Sequence, residues 1–271
     1  MPEKDIYFHV GLGKVASTYL QHEFFPKLQS IEYIPTNRYR KVQQILSNKG
    51  PGKYLVSREF DRQFEREVTS FCATYPDAKI IVIFRKHSSW IASQYRRYAK
   101  NGFHWGFEKF MDFEKDEGHW KQKDLLFYPK LEIIERCSTQ KPLVLFHDDL
   151  KKDSWAFLKQ IADFTGTSFD RQVVSLDKVH TSYSEKQLKV VQAFCRRFKK
   201  QLPRAYHNKV LHWLLYRPWW ALFHLVMYAA IFIPDQWISE APLISKEKLD
   251  DIDQRYARDW ERVREYAEEL G

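Results

Sequence analysis

Residues 6–20 read Ile6-Tyr-Phe-His-Val10-Gly-Leu-Gly13-Lys14-Val15-Ala16-Ser17-Thr18-Tyr-Leu20. Five residues rich in β-formers run into a short Gly-containing loop, and an amphipathic segment from Ser17 to Leu28 follows, which predicts strand, loop and helix. Ser17 and Thr18 suit the start of a helix because their hydroxyls can accept from its orphan N–H groups, and Pro26 with Gln29-Ser30 ends it. An α/β protein places phosphates at such a junction. Backbone N–H groups favour an anion there, Lys14 adds a point charge, and the Ser17 and Thr18 hydroxyls can donate to phosphate oxygens. A tight strand-to-helix turn with a solvated lysine is the plainer alternative. The loop is not Walker A, which needs G-x-x-x-x-G-K-[ST], and it is not G-x-G-x-x-G, because position 16 is Ala.

Short strands are expected at 31–34 and 54–57, then a charged helix from about Arg62 to Tyr75 and the fully apolar strand Lys79–Phe84. A strand apolar on both faces belongs in the middle of a parallel sheet. A helix from about Ser89 to Lys100, helical material to Cys137, a strand at 143–146 and a helix from about 154 to 164 complete the alternation. Strands alternating with helices of this length predict an α/β fold with a parallel, doubly wound sheet. After Gly166 the segments 184–201, 210–233 and 245–269 read as helices. They predict one domain, with an α/β core over 1–183 and an α-helical C-terminal cap over 184–271.

The 271 residues are globular in composition, with 44% hydrophobic and 16% aromatic residues, which disfavours disorder. Cys72, Cys137 and Cys195 are too few and scattered for a disulfide framework, and no C-x-x-C pair or His/Asp cluster has metal spacing. A reducing compartment and no metal are expected. Lys and Arg number 44 against 35 Asp and Glu, a net charge of +9 that predicts an anionic partner. The N-terminus has neither a basic n-region nor an apolar h-region, so no signal peptide is expected.

The loop resembles the 5′-phosphosulfate loop of sulfotransferases that use 3′-phosphoadenosine-5′-phosphosulfate (PAPS), where a strand leads to Lys, two small residues, two hydroxyl residues and an aromatic-Leu pair. Here that stretch is Lys14-Val15-Ala16-Ser17-Thr18-Tyr19-Leu20. The common family version has Ser-Gly or Thr-Gly after the lysine, so Val15 removes one hydroxyl. In the family, a second apolar strand ends in an Arg that begins the 3′-phosphate motif, with a Ser eight residues on. This chain has Ile80-Ile-Val-Ile-Phe84-Arg85 and then Ser93. An arginine at the carboxyl end of a central strand can take a phosphate bidentately. Stretches 101–113 and 143–166 look like the same family, as does Val179-His180-Thr181-Ser182 near the cofactor.

The resemblance implies a P-loop-like sulfotransferase of the bacterial or carbohydrate type. It would move a sulfuryl group from PAPS to a hydroxyl acceptor, a carbohydrate or (glyco)lipid, and release 3′-phosphoadenosine-5′-phosphate (PAP). Gly13, Lys14, Val15, Ala16, Ser17, Thr18, Arg85 and Ser93 are the implied cofactor residues, and Lys14 the cation on the leaving phosphate. For the base, the carbohydrate-directed branch uses a glutamate after the second or third strand, here Glu59, and the small-molecule branch a histidine, here His104. Glu59 is preferred because a carboxylate at a strand's carboxyl end faces the ligand crevice. A surface ion pair with Arg58 or Arg62 is its alternative. His9, His87 and His147 read as packing residues, and the basic runs 96–100 and 196–200 as solvated faces or holders of an acidic acceptor. The rivals are a P-loop kinase, disfavoured by the missing Walker A spacing, and a non-catalytic basic module binding membrane or nucleic acid. No nucleic-acid partner is expected.

Between Pro218 and Pro234 lie 15 residues, apolar but for His224, fewer than the roughly 20 that span a bilayer. Extending the run back to Val210 puts Arg217 mid-membrane, at a cost of several kcal/mol. Segment 210–233 is therefore a buried helix, a helix resting on a membrane surface, or a partner interface, and the expected location is cytoplasmic, with peripheral contact at the inner membrane face under the second option.

Overall fold

A computed structural model describes residues 4–176, 183–198 and 208–270. The loop 179–182 and residues 199–200 of the second basic run lie outside them. The described residues divide into two compact units, one of residues 1–90, 126–180 and 253–271, the other of 91–125 and 181–252. The units interleave along the chain.

The first unit holds a five-stranded, all-parallel sheet of β1 (Lys4–Gly11), β2 (Glu32–Ile34), β3 (Gly52–Glu59), β4 (Lys79–Phe84) and β5 (Leu143–Phe146), in the order β2-β3-β1-β4-β5. This is the doubly wound α/β sheet that the apolar runs predict. Ile80 to Phe84 are all buried, as a strand covered on both faces requires. On one face Phe8 packs on Phe71 with ring centroids 4.0 Å apart, and on the other Tyr7 and His9 meet Phe164 and Phe25. From β1 the chain travels toward β2, and from β4 it travels the opposite way toward β5. The carboxyl ends of β1 and β4 thus flank the point where the winding reverses, where an open α/β sheet leaves its ligand crevice.

The helix expected over 17–28 is broken into three. An α-helical turn, α1 (Ser17–Tyr19), becomes a π-helical turn over Leu20–Phe24 and a 3₁₀ turn over Phe25–Lys27. Pro26 has no N–H for the carbonyl of His22 and crowds it, so the α-helical register cannot continue. The remaining helices of the first half are α2 (Val42–Ser47), α3 (Phe64–Thr74), α4 (His87–Lys100), α5 (Phe107–Phe110) and α6 (Tyr128–Cys137). After β5, the Asp148-Asp149 pair opens a short helix, α7 (His147–Lys152), and α8 (Ser154–Thr165) follows. Its cap Asp153 accepts from the Ala156 N–H, and Gly166 closes it at φ 56°, a left-handed conformation natural to glycine.

The second unit contains α9 (Glu185–Phe198), the short α10 (Lys209–Leu211), a π-helical turn over His212–Tyr216, and α11 (Arg217–Ala229). The helix expected over 245–269 is two, α12 (Lys246–Arg255) and α13 (Ala257–Glu268), broken at Tyr256. Tyr256 is buried with its ring stacked on His87, 5.0 Å away. On its other side His87 stacks on Phe127 at 4.2 Å, while its Nε2 lies 3.0 Å from Asp259 Oδ2. This packing draws α13 onto the sheet unit.

Candidate active site

The turn from β1 into α1 carries two residues other than glycine in the left-handed region, Lys14 at φ 74° and Ala16 at φ 69°, with Val15 between them. Left-handed backbone costs an L-residue about 1–2 kcal/mol, so surrounding contacts must impose it. Val15 is fully buried and anchors the turn in the core while Lys14 stays exposed. A hydroxyl in place of Val15 would lie in that core, so at this position the main chain is what remains for a ligand.

Side chains from three other elements hold the turn. The Gly13 N–H donates to Asp61 Oδ1 at 2.9 Å, and the Trp90 indole N–H donates to the Gly13 carbonyl at 2.9 Å. Arg85, just past β4, donates from one terminal nitrogen to the Lys14 carbonyl at 3.1 Å and from Nε to Ser89 Oγ at 3.0 Å. The Phe60 N–H donates to the Gly11 carbonyl at 2.8 Å. The two cations that the sequence singles out, Lys14 and Arg85, are therefore joined at the sheet's reversal point. Sequence reading missed Asp61 and Trp90, although each lies within a few residues of a quoted motif.

Beneath the turn is a buried polar cluster. Ser17 Oγ is buried and has no hydrogen-bond partner among the described residues, and His9 Nε2 is in the same condition. Leaving such a group unsatisfied costs about 1–3 kcal/mol, so each marks a place where a partner belongs. Both atoms lie close to Gly11: a Cβ there would lie 3.3 Å from Ser17 Oγ and 3.4 Å from the His9 ring, a tight fit. On its other side, His9 Nδ1 is 2.8 Å from Ser57 Oγ, which also accepts from the Gln21 amide at 3.0 Å. Burial lowers the His9 pKa to about 3, so the ring is neutral near neutral pH. His147, the first residue of α7, is lowered to about 4, mainly by burial and then by the Arg85 and Lys151 charges.

Glu59 ends β3 in register with Gly11 on β1. It lines a cavity of about 530 Å³ together with Tyr39, Arg40, Arg58 and Gln63. Ser93 and His104 belong to the second unit. Ser93 lies on α4, eight residues past Arg85, and His104 Nδ1 is 3.1 Å from the Gly102 carbonyl with its ring stacked on Trp105 at 4.2 Å. Among the described residues no group of three or more His, Cys, Asp and Glu is placed to hold a metal, and no helix is long and apolar enough to cross a membrane.

Neither protein-family models nor curated protein sequences match this chain. Solved structures do. A sulfotransferase from Alicyclobacillus acidocaldarius superimposes with a TM-score of 0.53 at 14% identity, covering 70% of this chain and 92% of its own. The chain has the sulfotransferase fold. Mouse sulfotransferase SULT7A1 complexed with PAP also matches, with a TM-score of 0.47 at 14% identity over 97% of this chain and 89% of its own. Within this sulfotransferase-fold chain, the turn at residues 11–18, Arg85 and Glu59 share the unit built on the sheet.

Proposed function

We propose that the protein is a PAPS-dependent sulfotransferase acting on a hydroxyl of a carbohydrate or glycolipid. The observation that carries this reading is the buried, unpartnered Ser17 hydroxyl at the foot of a left-handed turn that bears Lys14 and is tied to Arg85. These residues fit a nucleotide with two separate phosphate positions. Main-chain groups of residues 13–16, the Ser17 and Thr18 hydroxyls and Lys14 would hold the 5′ end, and Arg85 the 3′-phosphate. Bound PAPS supplies an activated sulfuryl group on its 5′-phosphate.

The chemistry asked of the protein is placement of the acceptor hydroxyl in line, removal of its proton, and stabilisation of charge on the departing phosphate. Lys14 is suited to the last task because its ammonium is carried by a turn whose carbonyls are pinned by Trp90 and Arg85, so little reorganisation is needed as charge builds. Glu59 is the base in this reading. A carboxylate beside Gly11 at the strand ends, lining a cavity with room for a sugar, can accept the hydroxyl proton as the sulfuryl group is transferred.

The test is transfer of labelled sulfate from PAPS into lipid and aqueous extracts of cells, comparing wild type with Glu59→Gln. Labelled product with wild type, and a rate about 10²–10⁴-fold lower with Glu59→Gln at unchanged PAP affinity, is the expected result. Near-normal turnover by Glu59→Gln would remove Glu59 as base and direct the same experiment to His104. Absence of labelled product in every fraction would count against sulfuryl transfer itself.

A further inference from the structure

The second unit carries an apolar strip that its own packing leaves bare. Helix α11 buries Phe223 and Met227, with Ala230 just beyond it, against Leu188, Val191 and Cys195 in a common core cluster. Those three residues, spaced four and three apart, define one face of the helix. On the opposite face Pro218, Ala221, Leu225, Tyr228 and Phe232 follow one another at helical spacing, and all are exposed. Leu225 is 65% and Phe232 87% exposed. The preceding π-helical turn adds Trp213, 67% exposed, and Trp237, 74% exposed, lies just past the strip's other end. A helix apolar on its buried face and its free face alike is not the pattern of a solvated surface helix.

Charge decides what covers the strip. From Arg196 to Pro234 the sequence contains no Asp or Glu. Among the described residues of that stretch, Arg196 and Arg197 are exposed at the end of α9, and Arg217 is exposed at the start of α11 with its guanidinium 5.4 Å from the Trp220 ring. Asp235, the first acid after the strip, is paired with Lys186 at 2.8 Å. Protein–protein interfaces surround an apolar centre with a polar rim of both signs. Here the chain through and before the strip carries exposed arginines and no acid, and tryptophans stand at the two ends of the strip, the arrangement of a segment lying in the boundary between lipid headgroups and acyl chains. Arg217, exposed and stacked on Trp220, can reach headgroups while its stem stays on apolar surface.

We infer that the exposed face of α11, flanked by Trp213 and Trp237, docks the protein on the surface of an anionic bilayer, lying in one leaflet without spanning it. The inference rests on the second unit alone and does not depend on the transfer reaction. Its test is flotation of the full chain with vesicles of phosphatidylcholine alone or with about a third phosphatidylglycerol, beside a Leu225→Glu/Phe232→Glu variant and a milder Phe232→Ser variant. These side chains are exposed, so the folded structure should tolerate the changes, which unaltered melting and an unaltered PAP response would verify.

Wild type should float with the anionic vesicles, less so as salt is raised. The double variant should partition about a hundredfold less or lower, since two large apolar side chains no longer enter the lipid, and Phe232→Ser should fall between them. Wild type that stays at the bottom of the gradient, or a double variant that floats equally well, would overturn the inference. Light scattering that shows a lipid-free dimer dissolved by the double variant would overturn it too, by assigning the strip to a second copy of the chain.

Discussion

Replacing Ala16 by Gly tests the turn that the whole site depends on. At φ 69° the Ala16 Cβ is held against the left-handed penalty of about 1–2 kcal/mol, which glycine does not incur. Glycine also loosens the unfolded chain, which works against the folded state by about 0.4–1 kcal/mol. The two terms leave Ala16→Gly neutral to about 1.5 kcal/mol more stable than wild type. The control is Ala73→Gly on the exposed side of α3, where the backbone is helical and the same exchange should cost about 0.5–1 kcal/mol. Both residues lie in the sheet unit, so one melting transition reports on both. The variants should differ by about 0.5–2.5 kcal/mol, up to several degrees in melting temperature for a unit of this size. Thermal melting followed by circular dichroism measures this. If Ala16→Gly destabilises as much as Ala73→Gly, Ala16 is not left-handed and the turn is not the one described.

Other residues carry separable expectations. Lys14→Met should leave the fold intact and lower turnover from PAPS about 10²–10³-fold, the effect of losing one group that stabilises developing charge; a rate within a few-fold of wild type would exclude that role. Trp90→Phe keeps an aromatic ring in the core but removes the donor to the Gly13 carbonyl, and should cost about 1–3 kcal/mol in a thermal melt together with weaker PAP binding. Acid should destabilise the protein through its buried histidines. His9 titrates at about 3 when folded against about 6.5 when unfolded, so its contribution is complete above pH 6.5 and declines as the pH falls from there toward 3, by up to about 1.4 kcal/mol per pH unit. His147, lowered to about 4, and His87, also lowered by burial, act in the same direction. His9→Gln should flatten the stability profile between pH 6 and 4, and an unchanged slope would mean that His9 is protonated in the fold.

The sheet was readable because its signals are local. Ile80–Phe84 and the strand at 143–146 are unbroken apolar runs, and a run apolar on both faces has one place to go in a parallel sheet. The turn after Val10 was readable for the same reason, since its lysine, small residues and hydroxyls are contiguous. What holds that turn was not. Asp61 reaches Gly13 across 48 positions and Trp90 across 77, and nothing near either residue announces its partner. The His9–Ser57–Gln21 cluster was hidden likewise, because alternation along β1 and β3 marks a buried position without saying that a polar group occupies it usefully. Periodicity also overran the helix ends. Residues 17–28 and 245–269 keep a helical pattern through Pro26 and Tyr256, yet a missing N–H breaks the first and packing of Tyr256 on His87 breaks the second. The strip on α11 is the opposite case, in which composition was plain and only the structure tells its buried face from its bare one.

Nucleotide-dependent thermal stabilisation of the purified protein tests the central claim most directly, with PAP, 5′-AMP and ATP plus Mg²⁺ compared at equal concentration. A ligand at a hundred times its dissociation constant stabilises the folded state by about 2.7 kcal/mol, an easily measured shift in melting temperature. The account predicts a clear shift with PAP, a much smaller one with 5′-AMP because the 3′-phosphate that Arg85 would hold is missing, and loss of that difference in Arg85→Met. Stabilisation by ATP with Mg²⁺ in preference to PAP, or an equal response to PAP and 5′-AMP, would contradict it.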